Sequence, residues 1–215
     1  MHFAKYFRTK VSKRGGLLGT ISINFRPING SYGGMNVFVQ QISRWLEDRG
    51  YRVLYELRPE VDLILIVHPW MTHTNPYSFE EVKAFKRDHR QVKLLLRINE
   101  CDKRKNTNHM DQWLSQWESI ADHTYFISRW LRDYHADIWF DISRPHSSIY
   151  NGADPRIFHP VGSSRYDSED ALRIVTHHWS DNPMKGYPDY VKLDSMIANG
   201  QLKNIDFVII GRWPA

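Results

Sequence analysis

The sequence predicts an α/β fold: a doubly wound parallel sheet, followed by an unfinished second unit of the same kind. Three observations predict it. Short apolar runs of strand length alternate with stretches whose apolar residues recur at helical spacing. The first run passes through a glycine turn straight into such a helix. After a polar stretch the same strand, turn, helix, strand order begins again and ends near residue 211. Strands alternating with helices build a parallel sheet with helices on both faces.

Taken in order, the run from Leu17 to Phe25 reads as a buried strand. Gly30-Ser31-Tyr32-Gly33-Gly34 turns the chain into a helix whose stripe is Met35, Phe38, Val39, Ile42, Trp45 and Leu46. Gly50 ends that helix, and Tyr51 to Tyr55 starts the next strand. Asp62 to Val67 is a further strand, ending at His68-Pro69-Trp70. Phe79, Val82 and Phe85 mark a charged surface helix, with Ser78 and Glu81 spaced as a capping box. Val92 to Ile98 is a strand that ends in a loop, Asn99 to Lys105. Met110, Trp113, Leu114, Trp117 and Ile120 form a helical stripe, and His123 to Ile127 a short strand. Ser128 caps a helix carrying Trp130, Leu131 and Tyr134, and Ser147 to Tyr150 is a short strand before the turn Asn151 to Pro155. The expected organisation is a first domain over 1–160, a linker over 161–170 and a second, truncated domain over 171–215. In that second domain Leu172 to Thr176 is a strand and His177 to Gly186 a loop. Tyr187, Tyr190, Leu193 and Ile197 mark a helix, and Ile205 to Ile210 a strand ending at Gly211-Arg212. One such unit offers its helix and strand faces too few partners to close a domain.

In doubly wound sheets ligands sit beyond the carboxyl ends of the strands. The informative residues are therefore Gly30 to Gly34, His68, Arg97 to Asp102, Ser128 and Asn151. The start of the helix behind Gly33 and Gly34 offers unpaired amides and a positive dipole end, which favour an anion and phosphate above all. Glycines there let a ligand approach the backbone where a Cβ would block it.

Composition narrows the class. At 215 residues, 41% hydrophobic and 25% charged, the chain is of ordinary soluble globular make-up. The single cysteine, Cys101, excludes an internal disulfide framework, so a cytoplasmic, reducing setting is expected. No apolar run is long enough to span a bilayer. Net charge is +5, and Lys5, Arg8, Lys10, Lys13 and Arg14 precede the first acidic residue, Glu47. That basic cluster reads as a solvated face, with an anionic membrane surface as the other candidate for peripheral contact. Nucleic acid is not expected, because the aromatic residues follow helix-core spacing and no reader motif is present. No metal site is expected: His68 and His73 are five apart and His177 and His178 adjacent, neither putting two imidazoles on one helical face. No G-x-S-x-G elbow supports a serine nucleophile.

Four places resemble one known family. Gly33-Gly34 leads into a helix and then Arg49-Gly50-Tyr51-Arg52-Val53. Ile127-Ser128-Arg129 carries a strand-end serine. Ile149-Tyr150-Asn151-Gly152-Ala153-Asp154 is followed by Phe158 and Pro160. Lys185-Gly186 follows the first strand of the second domain. In order and spacing these resemble the retaining glycosyltransferases of family 4, with the GT-B fold of two facing Rossmann-like domains. The resemblance implies a nucleoside-diphosphate sugar as donor substrate, no separate cofactor, and a glycan, lipid or small-molecule acceptor. It implies a donor-binding set of Gly33, Gly34, His178, Lys185, Gly211 and Arg212. A fixed lysine and a helix terminus would stabilise the departing diphosphate.

Three departures qualify the resemblance. Where many relatives carry a histidine, this chain has Asn99 and Glu100, then Asp102. Asn99 suits a hydrogen bond to a sugar hydroxyl, and Glu100 or Asp102 suits accepting the acceptor's proton. These carboxylates read equally well as balancing Arg97, Lys103, Arg104 and Lys105. Where relatives tend to have an arginine, this chain has His177, His178 and Trp179, and histidine serves that purpose only when protonated. The family's donor-gripping carboxylate motif falls beyond residue 215, so weak or no transfer is expected of these residues alone. Two rivals follow. One is a non-catalytic module derived from a transferase, binding acceptor or a partner. The other is a nicotinamide dehydrogenase, with Glu56, 22 residues after Gly34, as the ribose-binding carboxylate. Against it, Gly30, Gly33 and Gly34 do not make G-x-G-x-x-G.

Overall fold

A computed structural model describes residues 17–30, 33–70, 72–162, 171–178 and 183–211. It divides into two compact units, residues 1–151 and 152–215. Residues 163–170, most of the expected linker, and Arg212 lie outside the described residues.

The first unit runs β1 (Gly19–Ile23), α1 (Gly33–Glu47), β2 (Tyr51–Leu54), β3 (Leu63–Ile66), α2 (Phe79–Asp88), β4 (Lys93–Ile98), α3 (Asp102–Lys105), α4 (Met110–Glu118), β5 (His123–Phe126), α5 (Arg129–Ala136) and β6 (His146–Ser148). The strands form one six-stranded sheet in the order β2-β1-β3-β4-β5-β6, every pair parallel. This is the expected doubly wound sheet. Its order reverses between β1 and β3, and in doubly wound sheets ligands sit outside the strand carboxyl ends at such a reversal.

Each face is built from one phase of the strands. Ile21, Ile23, Leu65 and Tyr125 pack with Val39 and Leu46 of α1. Ile64, Ile66, Leu94, Leu96, Ile98 and Phe126 pack on the other face with Val82 of α2, Leu114 and Trp117 of α4, and Leu131 of α5. Burial on both faces explains why these strands read as near-continuous apolar runs. The helix starts are chemically marked. Ser78 and Glu81 make the expected capping box, with Glu81 Oε2 accepting from the Ser78 amide at 2.7 Å and Ser78 Oγ from the Glu81 amide at 3.3 Å. Ser128 caps α5 through the Leu131 amide, at 3.1 Å. Among the described residues no helix is long and apolar enough to cross a membrane.

Several boundaries differ from the sequence reading. Leu17 and Leu18 are exposed and precede the strand, which begins at Gly19, although the Leu18 amide still donates to the Gly50 carbonyl at 2.9 Å. Trp45 is also exposed, with the Arg49 guanidinium 3.9 Å from its ring centroid, while polar Asn36 and Ser43 take buried places on α1. The loop after β4 contains a short helix, α3.

The second unit contains β7 (Leu172–His178), a 3-10 turn (Pro183–Lys185), α6 (Tyr187–Ala198) and β8 (Ile205–Gly211). β7 and β8 are parallel, with Leu172 opposite Ile205 and His178 opposite Gly211. His177 and His178 therefore extend the strand and do not open the loop, because both find ladder partners on β8. Leu172, Val175, Val191 and Ile210 are exposed, as expected where one crossover unit supplies few packing partners.

Candidate functional site at the carboxyl edge of the first sheet

The carboxyl ends of β1 and β3 meet at Asn24, which is fully buried. Its Oδ1 accepts from the amides of Val67 and His68 at 2.7 and 3.2 Å, and its Nδ2 donates to the His68 carbonyl at 2.6 Å. One amide side chain thus pins the two strand ends together where the order reverses. His68 Nδ1 lies 2.9 Å from both the Trp70 carbonyl and Asn75 Oδ1, two acceptors, so it is the protonated ring nitrogen. Burial pushes this imidazole below the ordinary histidine value, keeping it neutral. Trp70 and Trp113 stack beside it, with centroids 6.2 Å apart.

Asn36, also buried, fixes the loop that enters α1: it accepts from the Ile28 amide at 2.9 Å and donates to the Ile28 carbonyl at 2.8 Å. Gly33 then heads the helix with φ +67°, a left-handed value that disfavours any Cβ. Gly34 has no such constraint, and a Cβ built on it meets nothing within 4 Å. Nothing in the described fold requires glycine at 34. The first turn of α1 carries no acidic residue to compensate its dipole.

The end of β4 brings the next group. Lys93, Leu95 and Arg97 share the phase that faces α1. Arg97 is 3% exposed, a guanidinium inside the sheet. Its Nη2 donates to Asn151 Oδ1 at 3.2 Å and its Cζ lies 4.1 Å from the Phe38 ring centroid. Nε and Nη1 are buried without a hydrogen-bond partner. Burial lowers its pKa, with Tyr125 and Glu100 acting the other way. Two residues on, Asn99 Oδ1 and Glu100 Oε2 are likewise buried and unpartnered. The Glu100 side chain is 15% exposed, with Lys105 Nζ 3.8 Å from its other oxygen. Buried polar atoms are normally satisfied, so three residues with orphaned atoms at one strand end make this edge a candidate for a ligand. The amino edge of the sheet contrasts: Asp122 there accepts from Lys86 at 2.5 Å, Lys93 at 3.3 Å and the Leu94 amide at 2.8 Å.

Asp102 has a different position. Its carboxylate accepts from Thr107 Oγ1 at 2.5 Å and from the amides of His109, Met110 and Asp111 at 3.0, 2.9 and 3.1 Å. Burial alone would raise its pKa; these hydrogen bonds outweigh it and hold the carboxyl below the ordinary range. Asp111 returns the contact, accepting from the Asp102 amide at 3.0 Å and from the Tyr134 hydroxyl at 2.7 Å. Asp102 therefore caps α4 and neutralises its dipole. Buried His135 supports the same loop through the Glu100 carbonyl, 3.1 Å from its Nε2.

In the second unit His178 and Gly211 stand opposite one another at the carboxyl ends of β7 and β8. Lys185 is exposed in the turn that leads into α6. Gly186 caps that helix with φ +91°, and a Cβ there would meet the Tyr190 ring at 3.2 Å, so this glycine is needed by the fold itself.

The sequence reading named Gly33, Gly34, Asn99, Glu100 and Asp102 as site residues; it counted Arg97 among the strand-end residues but gave it no role beyond a charge for the loop carboxylates to balance. The available signal was phase: Arg97 falls in step with Leu95 inside an apolar strand, two residues before its polar end. Asn24 was missed because it lies within the run read as a buried strand, where nothing in the local pattern shows that its side chain bridges to a neighbouring strand.

No protein-family model matches the sequence, and no curated protein does. Among solved structures, HepE of Anabaena, described in complex with UDP and glucose, is similar with a TM-score of 0.48 and 12% identity, over 89% of this chain and 69% of that one.

Proposed function

We propose that the chain is a glycosyltransferase that moves a sugar from a nucleoside-diphosphate sugar to a glycan, lipid or small-molecule acceptor, with retention at the anomeric carbon. One observation carries the reading. The parallel register brings a glycine-headed helix start, neutral His68, and the orphaned groups of Arg97, Asn99 and Glu100 to the same edge of a doubly wound sheet, the edge where such sheets bind ligands. The sequence resemblance supplies the ligand class.

In this reading the amides at Gly33 and Gly34 face the donor phosphates. Lys185 and, when protonated, His178 neutralise the diphosphate as it leaves, and Gly211 and Arg212 belong to the same donor-binding set. Asn99 holds a sugar hydroxyl. Glu100 accepts the acceptor's proton; Asp102 keeps the loop that carries it in place. The dehydrogenase reading is disfavoured because Gly30, Gly33 and Gly34 do not make G-x-G-x-x-G.

Calorimetric titration of the chain with UDP and GDP tests the reading. Binding is expected for one of them, weakened at least tenfold by Lys185→Ala. Absence of binding to every nucleoside diphosphate tried would overturn it, and NADH bound more tightly than UDP or GDP would favour the dehydrogenase.

A further inference from the structure

Arg97 is a buried cation whose nearest described partners leave most of its hydrogen-bonding capacity unused. One of its three nitrogens reaches Asn151; Nε and Nη1 reach nothing. Among the described residues no carboxylate comes within ion-pair distance of it. A guanidinium in that state is costly to the fold: Glu100 acts on it only from beyond ion-pair distance, and the hydration lost at Nε and Nη1 is not replaced by hydrogen bonds. Its position gives the cost a purpose. Phe38, over which the guanidinium lies, is four residues after Gly34, so the two share one face of α1, one turn apart. The buried charge thus stacks against a side chain on the face of α1 that carries Gly34. The first turn of α1 has no acidic residue, and the space over Gly34 is open.

We propose that Arg97 and the amino terminus of α1 form one anion site in the first unit, for a phosphate or diphosphate group, with Arg97 supplying the charge and the α1 amides the hydrogen bonds. The helix start alone would attract an anion weakly and any surface anion equally. A fixed buried guanidinium stacked against that helix acts through a low-dielectric interior, where its field is screened far less than that of a surface lysine. The bond to Asn151 holds the guanidinium in place from the other side. This inference rests on the transferase reading only for the identity of the group that bears the phosphate; the anion site itself rests on Arg97.

The test is titration of the full chain with inorganic pyrophosphate, for wild type, Arg97→Met and Arg97→Lys, with circular dichroism and thermal melting of each. The proposal expects Arg97→Met to stay folded, to melt no lower than wild type without ligand, and to bind pyrophosphate at least tenfold more weakly. Arg97→Lys, which keeps the charge, recovers part of that loss. Unchanged affinity in Arg97→Met, with or without a lowered melting temperature, overturns the proposal and leaves Arg97 as an anchor for Asn151. Equal loss in both variants also overturns it, because the charge would then not be the operative feature. Nucleoside-diphosphate binding that ignores Arg97 removes this inference and leaves the transferase reading standing. Pyrophosphate bound through Arg97 by a chain that ignores nucleoside diphosphates does the reverse.

Discussion

Glu100 and Asp102 stand two positions apart and have opposite relations to their surroundings. Asp102 is satisfied by four donors and organises the start of α4; Glu100 keeps one oxygen buried and unpartnered. The variants should therefore separate. Asp102→Ala should destabilise the first unit by about 1 kcal/mol, the usual cost of losing a helix cap. Glu100→Gln should leave stability unchanged or slightly raised, and lower transfer more than tenfold. Urea unfolding read alongside a transfer assay checks both; a Glu100→Gln protein with full activity would remove it as the base. From the sequence these two carboxylates were indistinguishable. What separates them is the path of the backbone from 107 to 111, which folds back to present three amides to Asp102. No local pattern announces that return.

At the scale of the element, α1 carries the clearest prediction. Gly33 and Gly34 look alike in the sequence, but only Gly33 has a left-handed backbone. Gly33→Ala should cost about 1–2 kcal/mol from that conformation alone. Gly34→Ala should be neutral or stabilising by about 0.5 kcal/mol, since alanine loses less backbone entropy in a helix. If phosphate approaches the helix start, Gly34→Ala weakens pyrophosphate binding while the protein becomes no less stable. Thermal melting and titration of the two variants separate the roles. The elements themselves were largely legible in the sequence, because apolar phase sets the strands and Ser78, Ser128 and Gly50 set helix ends by local chemistry. The misread ends are those set by partners elsewhere: β7 continues through His178 because β8 lies beside it, and α3 exists because Asp102 binds forward to residues 107–111.

For the whole molecule, the buried histidines govern how stability depends on pH. Burial is the main cause holding His68, His123 and His135 below the ordinary value of 6.5. Each binds fewer protons folded than unfolded, so stability is complete above 6.5 and is lost as pH falls from there toward the depressed folded values. Asp102 and Asp122, also held low, act in a separate window: their contribution is present above the ordinary carboxylate value of 3.8 and is lost as pH falls below it. The urea midpoint should accordingly drop between pH 7.5 and 5.5, then again below about pH 4; a midpoint flat across the first interval would contradict the burial of these rings. The parallel, doubly wound character of the sheet followed from the alternation of strands and helices, while its order, with the reversal between β1 and β3, came only with the structure. The burial of Arg97 was signalled by its phase with Leu95, but nothing in the sequence showed that the fold leaves two of its nitrogens unpaired.

The central claim is that the glycine-headed start of α1 is where a nucleotide's phosphates bind. Amide chemical shifts of the isotope-labelled chain, followed as UDP or GDP is added, test it directly. The Gly33 and Gly34 amides and the Arg97 Nε–H should move together and saturate at one concentration. Saturable nucleotide binding that leaves those three signals in place would contradict it.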